Sequence, residues 1–493
     1  MRAELRAHRW HLALLLLTIC LLTLRLWHIR ADFTDFHFYS QERARFTDEG
    51  FYTSAALHYF TLGRAFVPGS WNPGVFMPVW PLLVGVVFHF TGISVVAARS
   101  LAVVCTWVGV LLAYAVARQY RSQTFAWLAA FLMAASALGF FYGRLAILEP
   151  SFVMLLLLAI YLAGKVQADS SVMAAVVGLV FVAATLTKTT APFLLPAVLY
   201  PIWANNSANS RATAWRMLAV AFAVIVLLLG CAKLIWLLHY SSDSRIIFSL
   251  RPGWQLENFP LRLLRFFFRG TWIDPVLFPL ALAFLVAAAW RLRSFWHDTL
   301  FVTALLWEAG YAAFIAFHYD GPPRYFVTLI APTIWLALMF LEWMWRANKR
   351  VALAVSACVA VSVLWNVASI GDYLLHPRYS LVDASVAIKQ VIASEHKTNP
   401  AQPELLIGRG VDEVSLLSGG MAAIDSDGAM PLAEKLDVYH PGWFMEWTGG
   451  PPTLRMKTVA AHRRLVERAA FPELDRYRHA GIVLYQIFPR GSQ

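Results

Sequence analysis

Twelve separate apolar runs leave this chain few ways to fold. They lie at roughly 11–29, 76–91, 94–117, 124–142, 146–164, 171–187, 190–204, 214–238, 275–290, 299–317, 325–343 and 351–370. Inside lipid, every backbone N–H and C=O must find a partner within the protein, and a single apolar segment does this as a helix. A span needs about 20 apolar residues, or about 17 at the short end. The chain is 59% hydrophobic and 14% charged, whereas soluble domains carry about 25% charged residues. These features indicate a polytopic α-helical membrane protein.

The run 76–91 is short and contains Pro78, Pro81 and His89. The basic connectors are Arg118 to Arg121, Lys165, the segment with Arg211 and Arg216, Arg291 to Arg293, and Arg346 to Arg350. They share the cytoplasmic side only if 76–91 lies at the outer surface and does not cross. About eleven spans remain, and parity requires the short run 190–204 to cross. This topology places outside the first loop, the connector Arg144 to Glu149, the loop 239–274, the connector His318 to Arg324, and everything after about 371. Within 239–274, Leu256 to Arg269 alternates arginines with large apolar residues. It reads as an interfacial helix, covering the bundle or meeting lipid.

The basic, apolar start Met1 to Trp27 has no small-residue cleavage site and reads as an uncleaved first span. The organisation expected is a membrane domain over 1–370, with a first outer loop at 30–93, then an extracytoplasmic α/β domain over 371–493. In that tail, Asp383 to Ser394 has helical spacing, and Glu404 to Gly408 and Gly481 to Ile487 read as strands. Cys20, Cys105, Cys231 and Cys358 fall in apolar stretches without metal spacing. The net charge of +12 marks topology; no nucleic-acid surface is indicated. Asn205-Asn206-Ser207 matches a glycosylation sequon but falls on the cytoplasmic side of this topology.

Ionisable groups are expensive in a membrane protein and often functional. Asp48-Glu49 opens an amphipathic helical pattern running through Tyr52, Ala55, Ala56 and Tyr59. One reading is helix capping by Thr47 or Asp48. The other is a carboxylate base at the mouth of the bundle. Arg144 and Glu149 sit between two apolar runs, either as a snorkelling pair or as a second acidic group in the same pocket. Arg99, Lys188 and Arg324-Tyr325 stand at span ends on that side. Cations there are ordinary anchors, but several together could neutralise a lipid phosphate. No HExxH, P-loop or GxSxG pattern stands in a credible context, and His318 is alone beside Asp320. No metal site is expected, although a carboxylate pair binds divalent ions well.

The order of these features resembles the GT-C class of integral-membrane glycosyltransferases. The nearest likeness is to the protein O-mannosyltransferase and aminoarabinose (lipid A) transferase group. The matching pieces are Asp48-Glu49-Gly50-Phe51-Tyr52, Asn72 to Pro78, Ala97-Ala98-Arg99, Gly143-Arg144-Leu145 with Glu149-Pro150, Leu186-Thr187-Lys188 and Pro323 to Phe326. The resemblance extends to about residue 345. It implies that Asp48 is the catalytic acidic residue, that Glu49 helps hold the acceptor, and that Arg99 and Lys188 meet the donor phosphate. Arg144, Glu149, Arg324 and Tyr325 complete the expected substrate-binding set. Two departures stand out. Asn72-Pro73-Gly74 lacks the His or Lys that usually begins the surface helix, and Glu149 stands where aspartate is common.

The resulting expectation is a glycosyltransferase in a bacterial inner membrane, with its C-terminal domain in the periplasm. It would move a sugar from a polyprenyl-phosphate-linked donor to a hydroxyl on a glycan, lipid or protein, with no cofactor. The alternatives are a flippase or transporter of lipid-linked glycans, and a glycan polymerase or ligase. A transporter would want ionisable groups at mid-span.

Overall fold

The computed structural model describes residues 2–34, 48–168, 170–207, 210–240, 258–290, 293–318, 322–448, 453–475 and 480–490. Arg45 to Thr47, the segment 241–257, Arg291 and Asp320 lie outside them.

A helix stands at each run expected to cross. These are Arg2–Thr23, Val95–Tyr120, Gln123–Ala135 continuing as Ala137–Tyr142, Leu148–Ala163, Ser171–Thr187, Leu195–Ser207, Arg211–His239, Leu277–Trp290, Thr299–His318, Ile330–Ala347 and Lys349–Leu375. Among the described residues, six helical stretches are long and apolar enough to cross a membrane, while Gln123–Ala135, Leu148–Ala163, Ser171–Thr187 and Leu277–Trp290 are apolar but shorter. Side chains of Ser94, Ser122, Ser136, Ser210 and Asn348 cap helix starts by accepting first-turn N–H bonds. Ser136 is extended, and it divides one apolar run into two helices.

The run at 76–91 becomes the helix Val79–Thr91. At about 1.5 Å per residue it reaches only about 20 Å, short of a roughly 30 Å hydrocarbon core. It buries Trp80, Val84 and Phe88, and the Trp80 indole N–H donates to the carbonyl of Ala146 at 3.1 Å. The segment expected to be interfacial forms the helix Phe259–Arg269. Phe266 faces inward and stacks on Phe326 at 5.7 Å between ring centres, while Leu264 and Phe268 are exposed.

Several basic connectors gather at one end of the bundle. Arg121 pairs with Asp298, lies 3.7 Å from Glu342, and so links three connectors. Arg99 sits about 33 Å away along the same helix, at its other end.

The tail forms a small α/β unit. The helix Ser380–Thr398 precedes five strands: β1 (Leu406–Gly408), β2 (Ala423–Asp425), β3 (Trp443–Trp447), β4 (Arg463–Asp475) and β5 (Ala480–Pro489). Their order is β2-β1-β3-β5-β4. β1 runs parallel to β2 and β3, and β5 runs antiparallel to β3 and β4. Expected strands at 404–408 and 481–487 correspond to β1 and β5. Short helices Val411–Leu417, Leu432–Tyr439 and Leu454–His462 fill the connections.

The tail unit and the first loop exchange helix caps. Asp32, from the loop, accepts N–H bonds from Leu381 at 2.9 Å and Val382 at 3.2 Å, at the start of Ser380–Thr398. Glu413, from the tail, accepts from Gly50 N–H at 2.6 Å, at the start of the helix Glu49–Leu62. His58 Nε2 meets Asp412 Oδ1 at 3.0 Å further along that helix.

Candidate active site at one end of the bundle

The expected site residues separate into two clusters around two neighbouring acids. Glu49 is fully buried in the first turn of its helix. Its carboxylate accepts Arg99 Nε at 2.8 Å, Arg99 Nη2 at 2.6 Å and the Ala146 N–H at 2.7 Å. Arg99 Nη1 donates at 2.7 Å to the carbonyls of both Ile29 and Ala31. Planar, two-point pairing of this kind is strong and geometrically specific. Arg99 was expected to meet a donor phosphate; in this structure it faces Glu49 and the main chain. It locks Glu49 to the main chain just after the first helix. Glu49 likewise faces Arg99, where an acceptor contact was expected.

Arg144 joins this structural group. Its Nη2 donates to the carbonyls of Trp27 at 2.8 Å and His28 at 2.6 Å, and its guanidinium lies 5.1 Å from the Tyr373 ring centre. Among the described residues, no ion pair joins it to Glu149. Asn72, which replaces the expected cation, staples its own loop. It accepts from Val67 N–H at 3.1 Å and donates to the Val67 carbonyl at 2.9 Å.

The second cluster joins four elements. Asp48 stands at the N-cap position of Glu49–Leu62, yet its side chain makes no cap bond. Instead its carboxylate accepts from Arg324 Nη1. Arg324 and Tyr325 lie in the 3-10 turn Pro323–Leu329, which feeds the helix Ile330–Ala347. Arg324 Nε stands 3.9 Å from Glu149 Oε1. Glu149 occupies the first turn of Leu148–Ala163 and accepts from Lys188 Nζ at 2.7 Å. Lys188 ends Ser171–Thr187 and lies 4.4 Å from the Tyr325 ring centre. The side chains of Asp48, Arg324, Lys188 and Glu149 are 34%, 12%, 5% and 0% exposed, so the cluster descends from solvent into the bundle. Glu149 Oε2 has no hydrogen-bond partner among the described residues. Tyr52, which the sequence reading did not single out, closes one side, its ring centre 5.7 Å from the Arg324 guanidinium. Its position one helical turn past Asp48 was the available signal.

Phe266, which stacks on Phe326, also lines an apolar cavity of about 320 Å³. Its lining includes Phe259, Phe266 and Phe267 of the helix Phe259–Arg269, together with Phe278, Leu305 and Glu308. Glu308 Oε1 accepts from the Thr333 hydroxyl at 2.6 Å.

Arg324 and Lys188 face the two carboxylates, and among the described residues no three His, Cys, Asp or Glu side chains converge. Four groups of alternating charge at helix ends can accept a proton and stabilise a departing anion.

Comparisons with known proteins agree with this architecture. A family model for dolichyl-phosphate-mannose-protein mannosyltransferase matches residues 73–236, which include Arg99, Arg144, Glu149 and Lys188 but not Asp48 or Arg324. No curated protein matches the chain in sequence. The crystal structure of ArnT from Cupriavidus metallidurans, bound to undecaprenyl phosphate, superposes with a TM-score of 0.64 at 14% identity, covering 97% of this chain and 98% of that one. The oligosaccharyltransferase of Archaeoglobus fulgidus, in complex with Zn and sulfate, gives 0.54 at 13% identity, covering 87% and 67%. The resemblance noted in the sequence thus extends to the backbone along nearly the whole chain, and the fold is that of the GT-C integral-membrane glycosyltransferases.

Proposed function

We propose that this protein transfers a sugar from a polyprenyl-phosphate-linked donor to an acceptor hydroxyl, at the end of the bundle that holds Asp48. That end would face the periplasm of a bacterial inner membrane, with about eleven helices crossing. The observation that carries the reading is the joining of Asp48, Arg324, Glu149 and Lys188 from four separate elements at one end of the bundle.

Asp48, the most accessible of the four, takes the proton of the acceptor hydroxyl. The acceptor oxygen bonds to the anomeric carbon as the bond from that carbon to the phosphate oxygen breaks. The electron pair leaves with the polyprenyl phosphate. Arg324 and Lys188 stabilise its growing charge, in a site where preorganised cations cost no reorganisation. Glu149 holds Lys188 and lies near Arg324, fixing both cations. Single displacement inverts the anomeric centre. The apolar cavity suits part of the prenyl chain. The reaction needs neither an organic cofactor nor an obligatory divalent ion.

A transporter reading asks for ionisable groups at mid-span, and Glu308 is one. The same experiment addresses both readings. Deleting the gene should make a lipid-phosphate-linked monosaccharide accumulate, visible by mass spectrometry. Adding purified full-length protein to detergent-treated membranes of that strain should discharge it, releasing free polyprenyl phosphate. Accumulation that added protein fails to discharge, once the membrane barrier is gone, would contradict transfer and favour transport.

A further inference from the structure

The helix that carries the proposed base starts with its own capping side chain turned away. Asp48 occupies the N-cap, where aspartate ordinarily accepts from the second or third helical N–H. Here it accepts from neither, and faces Arg324. The second helical N–H is that of Gly50, and its acceptor comes from the tail unit: Glu413 Oε2, at 2.6 Å. Glu413 is itself buried, in the first turn of Val411–Leu417. The approach is close enough that a Cβ on Gly50 would strike the main chain of Asp412 and Glu413. His58 and Asp412 pin the same two helices further along, and Asp32 returns a cap to the tail.

We infer that Glu413 is a positioning residue for glycosyl transfer: it caps the Glu49–Leu62 helix in place of Asp48 and so leaves the Asp48 carboxylate for Arg324 and the acceptor. This rests on the reading of Asp48 as the base. First-turn N–H groups that are buried must be satisfied. Without the Glu413 carboxylate, Asp48 is left as the N-cap side chain, the position that ordinarily accepts from this N–H. Turning to its own helix would withdraw that carboxylate from the site. The tail unit therefore acts on turnover without touching substrate.

The test uses full-length protein and the release of polyprenyl phosphate from lipid-linked sugar in deletion-strain membranes. Glu413→Ala should lower kcat about tenfold to a hundredfold with the KM for donor little changed, a modest part of the usual worth of a general base. Glu413→Gln keeps an acceptor oxygen and should restore most of the rate. Glu413→Asp keeps charge but shortens the reach, and should fall between; it also serves if the alanine variant does not fold. In an Asp48→Asn background, Glu413→Ala should cost no further kcat, because residues acting through one another are not additive. Rates are compared per folded molecule, from thermal unfolding of each variant. Unchanged kcat in Glu413→Ala and Glu413→Asp, or additive losses in the double variant, would overturn this inference alone. Near-wild-type turnover in Asp48→Asn would instead remove the base assignment, and the inference with it.

Discussion

Glu49 spends its carboxylate on Arg99 and the Ala146 N–H and is wholly enclosed, whereas Asp48, one residue earlier, is 34% exposed and faces Arg324. Both are acids at the start of one helix, and both pair with an arginine. What differs is how completely each is satisfied. Around Glu49, Arg99 also bonds two main-chain carbonyls, and the pair ties together four parts of the chain. Around Asp48 the charges alternate along the chain of contacts from Asp48 to Arg324, Glu149 and Lys188, with Glu149 Oε2 lacking a partner among the described residues. A closed ion pair is architecture. An accessible carboxylate beside cations can exchange a proton and meet an anion.

If this division holds, breaking the closed pair should be felt first in stability. Arg99→Leu leaves Glu49 as a buried acid without its partner, a change that typically costs about 3–5 kcal/mol. Low yield and a lowered unfolding temperature should follow, measured by thermal unfolding in detergent. A well-folded Arg99→Leu protein with a selective loss of donor binding would return Arg99 to the substrate.

The open cluster should show the opposite pattern. Lys188→Gln keeps an N–H donor for Glu149 but removes the positive charge. Turnover should fall about a hundredfold, the lower range for losing one preorganised transition-state donor, while the retained N–H donor keeps the loss of stability smaller than in Arg99→Leu. Release of polyprenyl phosphate beside a melting curve checks this. Equal rates would free Lys188 from any role at the leaving group.

The smallest effect sharpens the contrast from a third acid, away from both clusters. Burial, then nearby Asp412, raise the Asp425 carboxyl to about 7. An unfolded aspartate titrates near about 3.9, so the folded state holds this proton more tightly. Its contribution to stability is present below about pH 4 and is lost as pH rises through about 7. Burial lowers Lys435 to about 8, so it stays mostly protonated through that window. Asp425→Asn should therefore flatten the fall in unfolding temperature between about pH 4 and 7. Parallel profiles for wild type and variant would show that Asp425 does not carry the slope.

The legible parts of this molecule are those with local signals. Apolar runs marked the helices, and the short run at 76–91 marked the short helix Val79–Thr91. Asp48, Glu149, Lys188 and Arg324-Tyr325 stood out as charges at span ends, and the fold brings all of them together. What the sequence hid was pairing over distance. Glu49 and Arg99 each looked like site residues, and nothing local shows that they satisfy one another across 50 positions. Arg144 is drawn instead to carbonyls 116 and 117 residues earlier. Glu413 caps a helix 363 residues away, and the only local hint was Gly50 in a helical first turn, a sign of close main-chain approach. In the tail, β2 is three residues long, too short to show alternation, and the bulged β4 breaks its own register.

The division between the two neighbouring acids is tested most directly by one paired measurement. Asp48→Asn and Glu49→Gln are purified at full length, and each is assayed for polyprenyl phosphate release and for thermal unfolding. Asp48→Asn should lose about 10²–10⁴-fold in turnover, the usual worth of a general base, and keep its unfolding temperature, because the lost carboxylate makes no cap bond. Glu49→Gln should lower the unfolding temperature and retain turnover per folded molecule. Near-normal turnover in Asp48→Asn, with the large catalytic loss falling on a stable Glu49→Gln protein, would contradict the account.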